Sequence, residues 1–235
     1  MKILPIILIV LCFGRYADPV RAQDPVIFEN FESYEVGDTP YEWSTNKGRS
    51  LIPASPETMN DRHRYQIIRE GGNKFVRAEM RNYAYRLIRL NENPSRWDLD
   101  THPILQWDWR VHRVPAEARE DRKKSNDTAA AVYVTFGRDW LGRPKSIKYS
   151  FSSTLPVGTV ISDGQLRILI VGSAASDALG EWRTIRRNVV EDYRHVFGGS
   201  PGSDRPIGIT LFSDADDVQD DSSRVDFDNV ILLSE

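Results

Sequence analysis

The chain has a single cysteine, Cys12, in 235 residues, so no internal disulfide forms and the fold must be held by core burial. Histidine is almost as scarce, with four in all, and none stands with other ligands at the spacing of a zinc site. No phosphate-cradling glycine loop, dinucleotide fingerprint or nucleophile elbow is present. Long apolar runs are missing as well. The longest, Ile3–Phe13, covers about eleven residues, whereas a membrane-spanning helix needs roughly 20. Nor is there a surplus of positive charge. Lys and Arg number 31 against 34 Asp and Glu, which argues against nonspecific nucleic-acid binding, a mode that needs a strongly positive field.

What is present begins with a leader. Lys2 supplies the basic start, Ile3–Phe13 the apolar middle and Val20-Arg21-Ala22 a small-residue site for cleavage before Gln23. Residues 1–22 therefore read as a signal peptide and 23–235 as one exported domain, periplasmic or secreted, with no transmembrane segment after cleavage. Cys12 follows the bulky Leu11, which disfavours lipidation, and cleavage removes it. Losing Lys2, Arg15, Arg21 and Asp18 moves the formal charge from −3 to −5.

The mature chain is dominated by period-two patterns, the signature of half-buried strands. In Ile104–Val114, Leu105, Trp107, Trp109 and Val111 point one way, and Gln106, Asp108, Arg110 and His112 the other. Further strands are expected at 65–69, 74–80, 84–90, 129–136, around Ile147, Tyr149 and Phe151, and at 166–171. Near the C-terminus, Ile207, Ile209 and Leu211 alternate with small residues, and Val225 and Phe227 alternate with Arg224, Asp226 and Asp228. Gly71-Gly72-Asn73 is a hairpin turn. The stretch 47–66 reads as a long polar loop, and the charge-balanced 115–128 as a mobile solvated one.

One helix is well signalled, near 189–197. Asn188 and Glu191 fit the pattern that satisfies free amides at a helix start, and Gly198-Gly199 ends it. Many short strands, Gly/Pro turns and one capping helix predict an all-β antiparallel β-sandwich of the jelly-roll kind, galactose-binding-like or concanavalin-like.

Three groups carry candidate chemistry. Arg77, Glu79 and Arg81 share one strand face, and the polar side of the 104–114 strand adds Asp108 and Arg110. Trp140, in the turn 137–145 and flanked by Arg138, Asp139 and Arg143, is a candidate to stack on a sugar ring, the competing reading being that it folds back over the sheet edge. The acidic loop offers Asp214, Asp216 and Asp217, and Asp226 and Asp228 of the last strand join them as candidate calcium ligands. Calcium takes six to eight oxygens. The loop lacks the glycine and closing glutamate of an EF-hand, so a solvated acidic loop is the competing reading.

At this point the motifs acquire a likeness. ILQWDWRV, STLPVGTVI, EDYRHVFG and GITLFSDADD resemble, in order, the hallmark stretches of a bacterial family, domain of unknown function 3047. The resemblance implies an exported β-sandwich and brings no established activity. FENFESYEVGD and RVDFDNVIL are similar to the edges of carbohydrate-binding jelly rolls, where first- and last-strand carboxylates often hold calcium. Arg77-Ala-Glu79-Met-Arg81 resembles a motif of jelly-roll alginate lyases, but no matching Gln-Ile-His block follows. The expected function is non-catalytic binding of a saccharide or other polar envelope ligand. A polysaccharide-active enzyme, uronate lyase-like or glycoside hydrolase, is the alternative. A structural envelope protein that meets another protein is the third.

Overall fold

The computed structural model describes residues 23–92, 97–138, 143–202, 204–219 and 221–234. The first strands are β1 (Val26–Glu29), β2 (Ser44–Lys47), β3 (Ser50–Pro53), β4 (His63–Glu70), β5 (Asn73–Arg81), β6 (Ala84–Leu90) and β7 (Ile104–Arg113). They are followed by β8 (Ala130–Arg138), β9 (Pro144–Ser152), β10 (Val160–Asp163), β11 (Leu166–Ser173) and β12 (Arg183–Asn188). After α1 (Val189–Phe197) come β13 (Gly208–Asp214) and β14 (Ser222–Leu233).

These strands form two sheets. Sheet A has the order β12-β7-β14-β5-β4, with β1 also on β14. Because β7 follows β14 from Arg224 to Leu233 while β5 stops at Phe227, β1 continues the row of β5 along the other edge. Sheet B has the order β10-β11-β9-β8-β13-β6-β2-β3. Pairing is antiparallel throughout the described strands except that β11 runs parallel beside β9. Within the 47–66 stretch expected to be loop lies β3, which pairs with β2 as a hairpin, and β4 begins there at His63. β3 is only four residues, Ser-Leu-Ile-Pro, too short to show an apolar alternation.

The chain crosses between sheets repeatedly, as from β5 to β6 and from β7 to β8, and this makes a sandwich. The C-terminal strands are split the same way. β13 lies in sheet B and β14 in sheet A, so they face each other rather than pair, and the Ser213 and Ser223 hydroxyls meet at 2.7 Å across the corner.

The core is aromatic where the sheets meet. Trp107 and Trp109 of β7 are buried, and they pack on Tyr149 and Phe151 of β9 with ring centroids 5.4 and 5.9 Å apart. Rings of this size dominate the burial energy of a core. Gly172 is required beside them, since a Cβ there would lie 2.6 Å from Phe151. The helix closes one end. Asn188 accepts bonds from the amides of Val190 and Glu191, Tyr193 packs on Phe136, and Asp192 takes bonds from Arg187 and the Tyr149 hydroxyl.

Candidate functional site

The outer face of sheet A gathers most of the polar residues singled out in the sequence. Alternation turns Val76, Ala78 and Met80 of β5 to the core and leaves Arg77, Glu79 and Arg81 outside. The same logic puts Asp108 and Arg110 of β7 outside. β14 lies between these two strands and contributes Arg224, Asp226 and Asp228 to the same surface. In register, Arg77 stands beside Asp226 and Asp226 beside Arg110, while Asp228 stands beside Asp108.

Asp226 is the centre of this ladder, and it lies outside the one carboxylate group among the described residues that could hold a metal ion. Its side chain has no exposed surface. Arg77 grips it with two bonds of 2.6 and 2.9 Å, and Arg110 donates two more of 2.9 and 2.7 Å. His112 Nε2 lies 2.8 Å from Asp226 Oδ2, and since a carboxylate only accepts, that nitrogen carries the proton. Burial alone would raise the Asp226 pKa; the bonds from Arg77, His112 and Arg110 outweigh it and hold the carboxyl below its usual range. Arg110 also pairs with Glu70 at 2.7 Å and lies over the rings of Phe75 and Trp182, which meet edge to face.

Asp228 is separated from the acidic loop in the same way. A bulge in β14 places Asn229 at a φ of 48°, and its side-chain amide donates to Asp108 at 2.9 Å. Asn73 donates to Asp228 at 2.8 Å. Burial raises the Asp228 pKa to about 6; the Asn73 bond works against this, and the charges of Asp108 and Glu32 add to it. The first-strand carboxylate, Glu29, is likewise committed. It accepts from the Phe31 amide, the Trp43 indole and Arg89.

One end of the ladder opens into a cleft of about 530 Å³. Five arginines line it, Arg62, Arg64, Arg81, Arg113 and Arg224, against two acids, Asp61 and Glu79, with His112 at the side. Glu79 is shared by Arg64 and Arg224. Arg113 reaches the Ser222 hydroxyl at 3.0 Å and Arg62 lies over the Tyr83 ring. Among the described residues no carboxylate pairs with Arg62, Arg81 or Arg113, so the cleft keeps uncompensated positive charge. Sequence reading placed Arg77, Glu79, Arg81, Asp108 and Arg110 on one face correctly. It missed Arg62, Arg64, Arg113 and Arg224, whose contribution depends on which strands become neighbours.

The acidic loop forms a separate corner. Asp127, Asp216 and Asp217 bring carboxylate oxygens within 4.8 Å of one another, a group that could hold a metal ion. Asp127 is fully buried and already accepts from the backbone amides of Asp216, Asp217 and Val218 at 3.1, 2.9 and 2.8 Å. It belongs to the 115–128 segment expected to be mobile. That segment instead buries Ala118, Glu120, Asp127 and Thr128, and Glu120 accepts from Ser150 and Ser152. Its balanced charge concealed these anchors. Asp214 is buried beside this corner; desolvation pushes its pKa up to about 8, opposed by Lys148 and assisted by Asp216 and Asp127. The turn holding Trp140 lies outside the described residues, as does the 1–22 leader. Among the described residues no helix is long and apolar enough to cross a membrane.

Comparison with known proteins adds a family and little else. No curated protein matches the sequence. An exo-β-agarase structure is similar at 12% identity and a TM-score of 0.40, over 89% of this chain and 25% of that one, so the chain spans about a quarter of the agarase's length. The xyloglucanase domain of NopAA, a type three effector from Sinorhizobium fredii solved with cellobiose, is similar at 12% identity and a TM-score of 0.37, over 75% and 96% of the two chains. Likeness at this level assigns no ligand. The model of a protein family of unknown function, DUF3047, matches residues 42–231, the sandwich from just before β2 into β14. The chain belongs to the DUF3047 family.

Proposed function

We propose that residues 23–235 form a single exported domain that binds an acidic polysaccharide, or a similar polyanion, along the outer face of sheet A. The observation that carries the reading is the arginine cleft: Arg62, Arg81 and Arg113 have no carboxylate partner among the described residues, and guanidinium groups suit carboxylate and sulfate by geometry as well as charge. Trp182, 38% exposed at the side of the ladder, offers a ring face beside the charges. Export rests on the leader, and the mature N-terminus is expected at Gln23, which mass spectrometry of the exported protein checks.

Calorimetry with polygalacturonate and alginate, with neutral dextran as comparator, tests the binding. The expected result is retention of at least one acidic polymer and about tenfold weaker binding for the double variant Arg81→Ala/Arg113→Ala, a loss of roughly 1.4 kcal/mol. Equal binding by wild type and variant, or no binding of either acidic polymer, defeats the reading.

A second reading has one observation in its favour, the His112–Asp226 pair beside the cleft. With Nε2 held by a buried carboxylate, Nδ1 is the basic nitrogen, the arrangement by which an orienting acid prepares a general base. On a uronate held by the arginines, His112 would take the proton α to the carboxylate. The electrons of that C–H bond would form the C=C bond as the glycosidic C–O bond breaks, and water would protonate the leaving oxygen. The unsaturated product absorbs in the ultraviolet. Binding of the acidic polymers without any rise in absorbance would exclude elimination and leave the binding reading intact.

A further inference from the structure

The opposite face of the molecule carries a second cleft, of about 310 Å³, on the outer surface of sheet B. Its floor comes from β8, β9 and β13. Tyr133 and Phe212 meet edge to face with centroids 5.8 Å apart. Lys148, only 4% exposed, holds its ammonium 5.7 and 5.4 Å from the two ring centres. Asp214 lines the same cleft; it is 5% exposed, and its Oδ1 has no hydrogen-bond partner. One wall is the β10–β11 hairpin, with Leu166 and Asp163, and the other is the anchored 115–128 segment.

A buried carboxyl oxygen without a hydrogen-bond partner is costly, and native proteins leave few such groups unexplained. Here the unpartnered carboxyl oxygen stands in a walled recess together with a buried cation, a half-buried tyrosine and aliphatic side chains. The rim is charged, with Arg86, Glu120, Asp121, Lys123 and Asp163, while Tyr133, Phe212, Ile161, Leu166 and Ile168 supply the apolar surface. The charged residues around this cleft are close to balanced, unlike the arginine cleft, so net charge does not select an anion. The lining asks for a ligand that can donate to or accept from the Asp214 carboxyl, accepts from Lys148 and offers an apolar face to Tyr133 and Leu166. A sugar ring does all three, because each hydroxyl both donates and accepts and the C–H face packs on aromatic surface.

We infer that the sheet B cleft is a second ligand site, separate from the arginine cleft, which takes a neutral hydroxyl-rich ring such as one pyranose unit of a glycan. It would give the protein two faces of different selectivity, one for polyanions and one for neutral sugar. The inference does not depend on the sheet A reading.

Calorimetry with cellotetraose, maltotetraose, xylotetraose and galactotetraose tests it, in about 0.5 M salt to screen the arginines. Binding of at least one neutral oligosaccharide is expected, weakened at least about tenfold by Asp214→Asn and by Tyr133→Ala, and unchanged in Arg81→Ala/Arg113→Ala. Asp214→Asn is nearly isosteric and is read alone where Tyr133→Ala lowers the melting temperature. Three results overturn the inference. They are no binding of any of the four, binding untouched by Asp214→Asn, or binding lost through the arginine substitutions instead.

Discussion

Asp226 shows how a residue's type can be legible while its task is not. Its place on the polar side of β14 follows from alternation with Val225 and Phe227. Its partners come from strands far away in sequence, with Arg77 149 positions off and Arg110 116. Removing a buried carboxylate leaves two guanidinium groups without their counter-charge, and Asp226→Ala is expected to cost about 3–5 kcal/mol in a urea melt. The pH dependence has a fixed sign. The folded-state pKa lies below the ordinary one, so this stabilisation is present above about pH 3.9 and is lost as the pH falls below it. Asp228 behaves in the opposite sense. Its pKa is raised to about 6, so the folded chain holds that proton more tightly than the unfolded chain. Stability therefore falls as pH rises from about 4 to about 6 and then levels off, by up to about 3 kcal/mol. Asp228→Asn is expected to remove that slope in melting temperatures measured across the interval; an unchanged slope would reject the assignment.

At the scale of elements, the segment 115–128 matters most. It reads as a floating loop because four acids and four bases balance in Ala116–Thr128, yet Asp127 fastens it to the loop after β13. Asp127→Ala leaves three backbone amides without an acceptor. Each unsatisfied group costs about 1–3 kcal/mol when buried, so a loss of at least about 2 kcal/mol is expected, with faster hydrogen exchange at Asp216–Val218 than elsewhere. Loss of stability without that local exchange would place the anchor elsewhere. The helix is a milder case. Asn188 accepts two amides at 3.1 Å, and Asn188→Ala is expected to cost about 1 kcal/mol. That cap was readable because both its partners lie within three residues.

Across the whole molecule, charge is distributed against its average. Residues 23–235 are net negative by composition, yet the end of sheet A concentrates five arginines around one cleft. Binding of a polyanion there is expected to weaken steeply as salt rises from about 0.05 to 0.5 M, since exposed charges are screened over a Debye length of about 10 Å at 0.1 M. Neutral-sugar binding on sheet B is expected to be almost indifferent to the same change. Titrating both ligands across the salt series separates the faces, and parallel salt curves would mean that the two clefts do not differ as their linings require.

The sequence by itself determined the class of the fold. Period-two alternation assigned nearly every side chain of β5, β7 and β14 to core or surface, because the two faces of a strand are fixed by local geometry. It also determined the capped helix and the absence of disulfide, thiol or spanning-helix chemistry in residues 23–235. Only the tertiary structure decided which polar residues meet. Sheet order put β14 between β5 and β7, made Asp226 the anchor of two arginines, and kept it out of the carboxylate group that Asp216 and Asp217 form with Asp127. Strand neighbours are chosen by long-range packing of the two aromatic inner faces, and no local pattern in the chain records that choice.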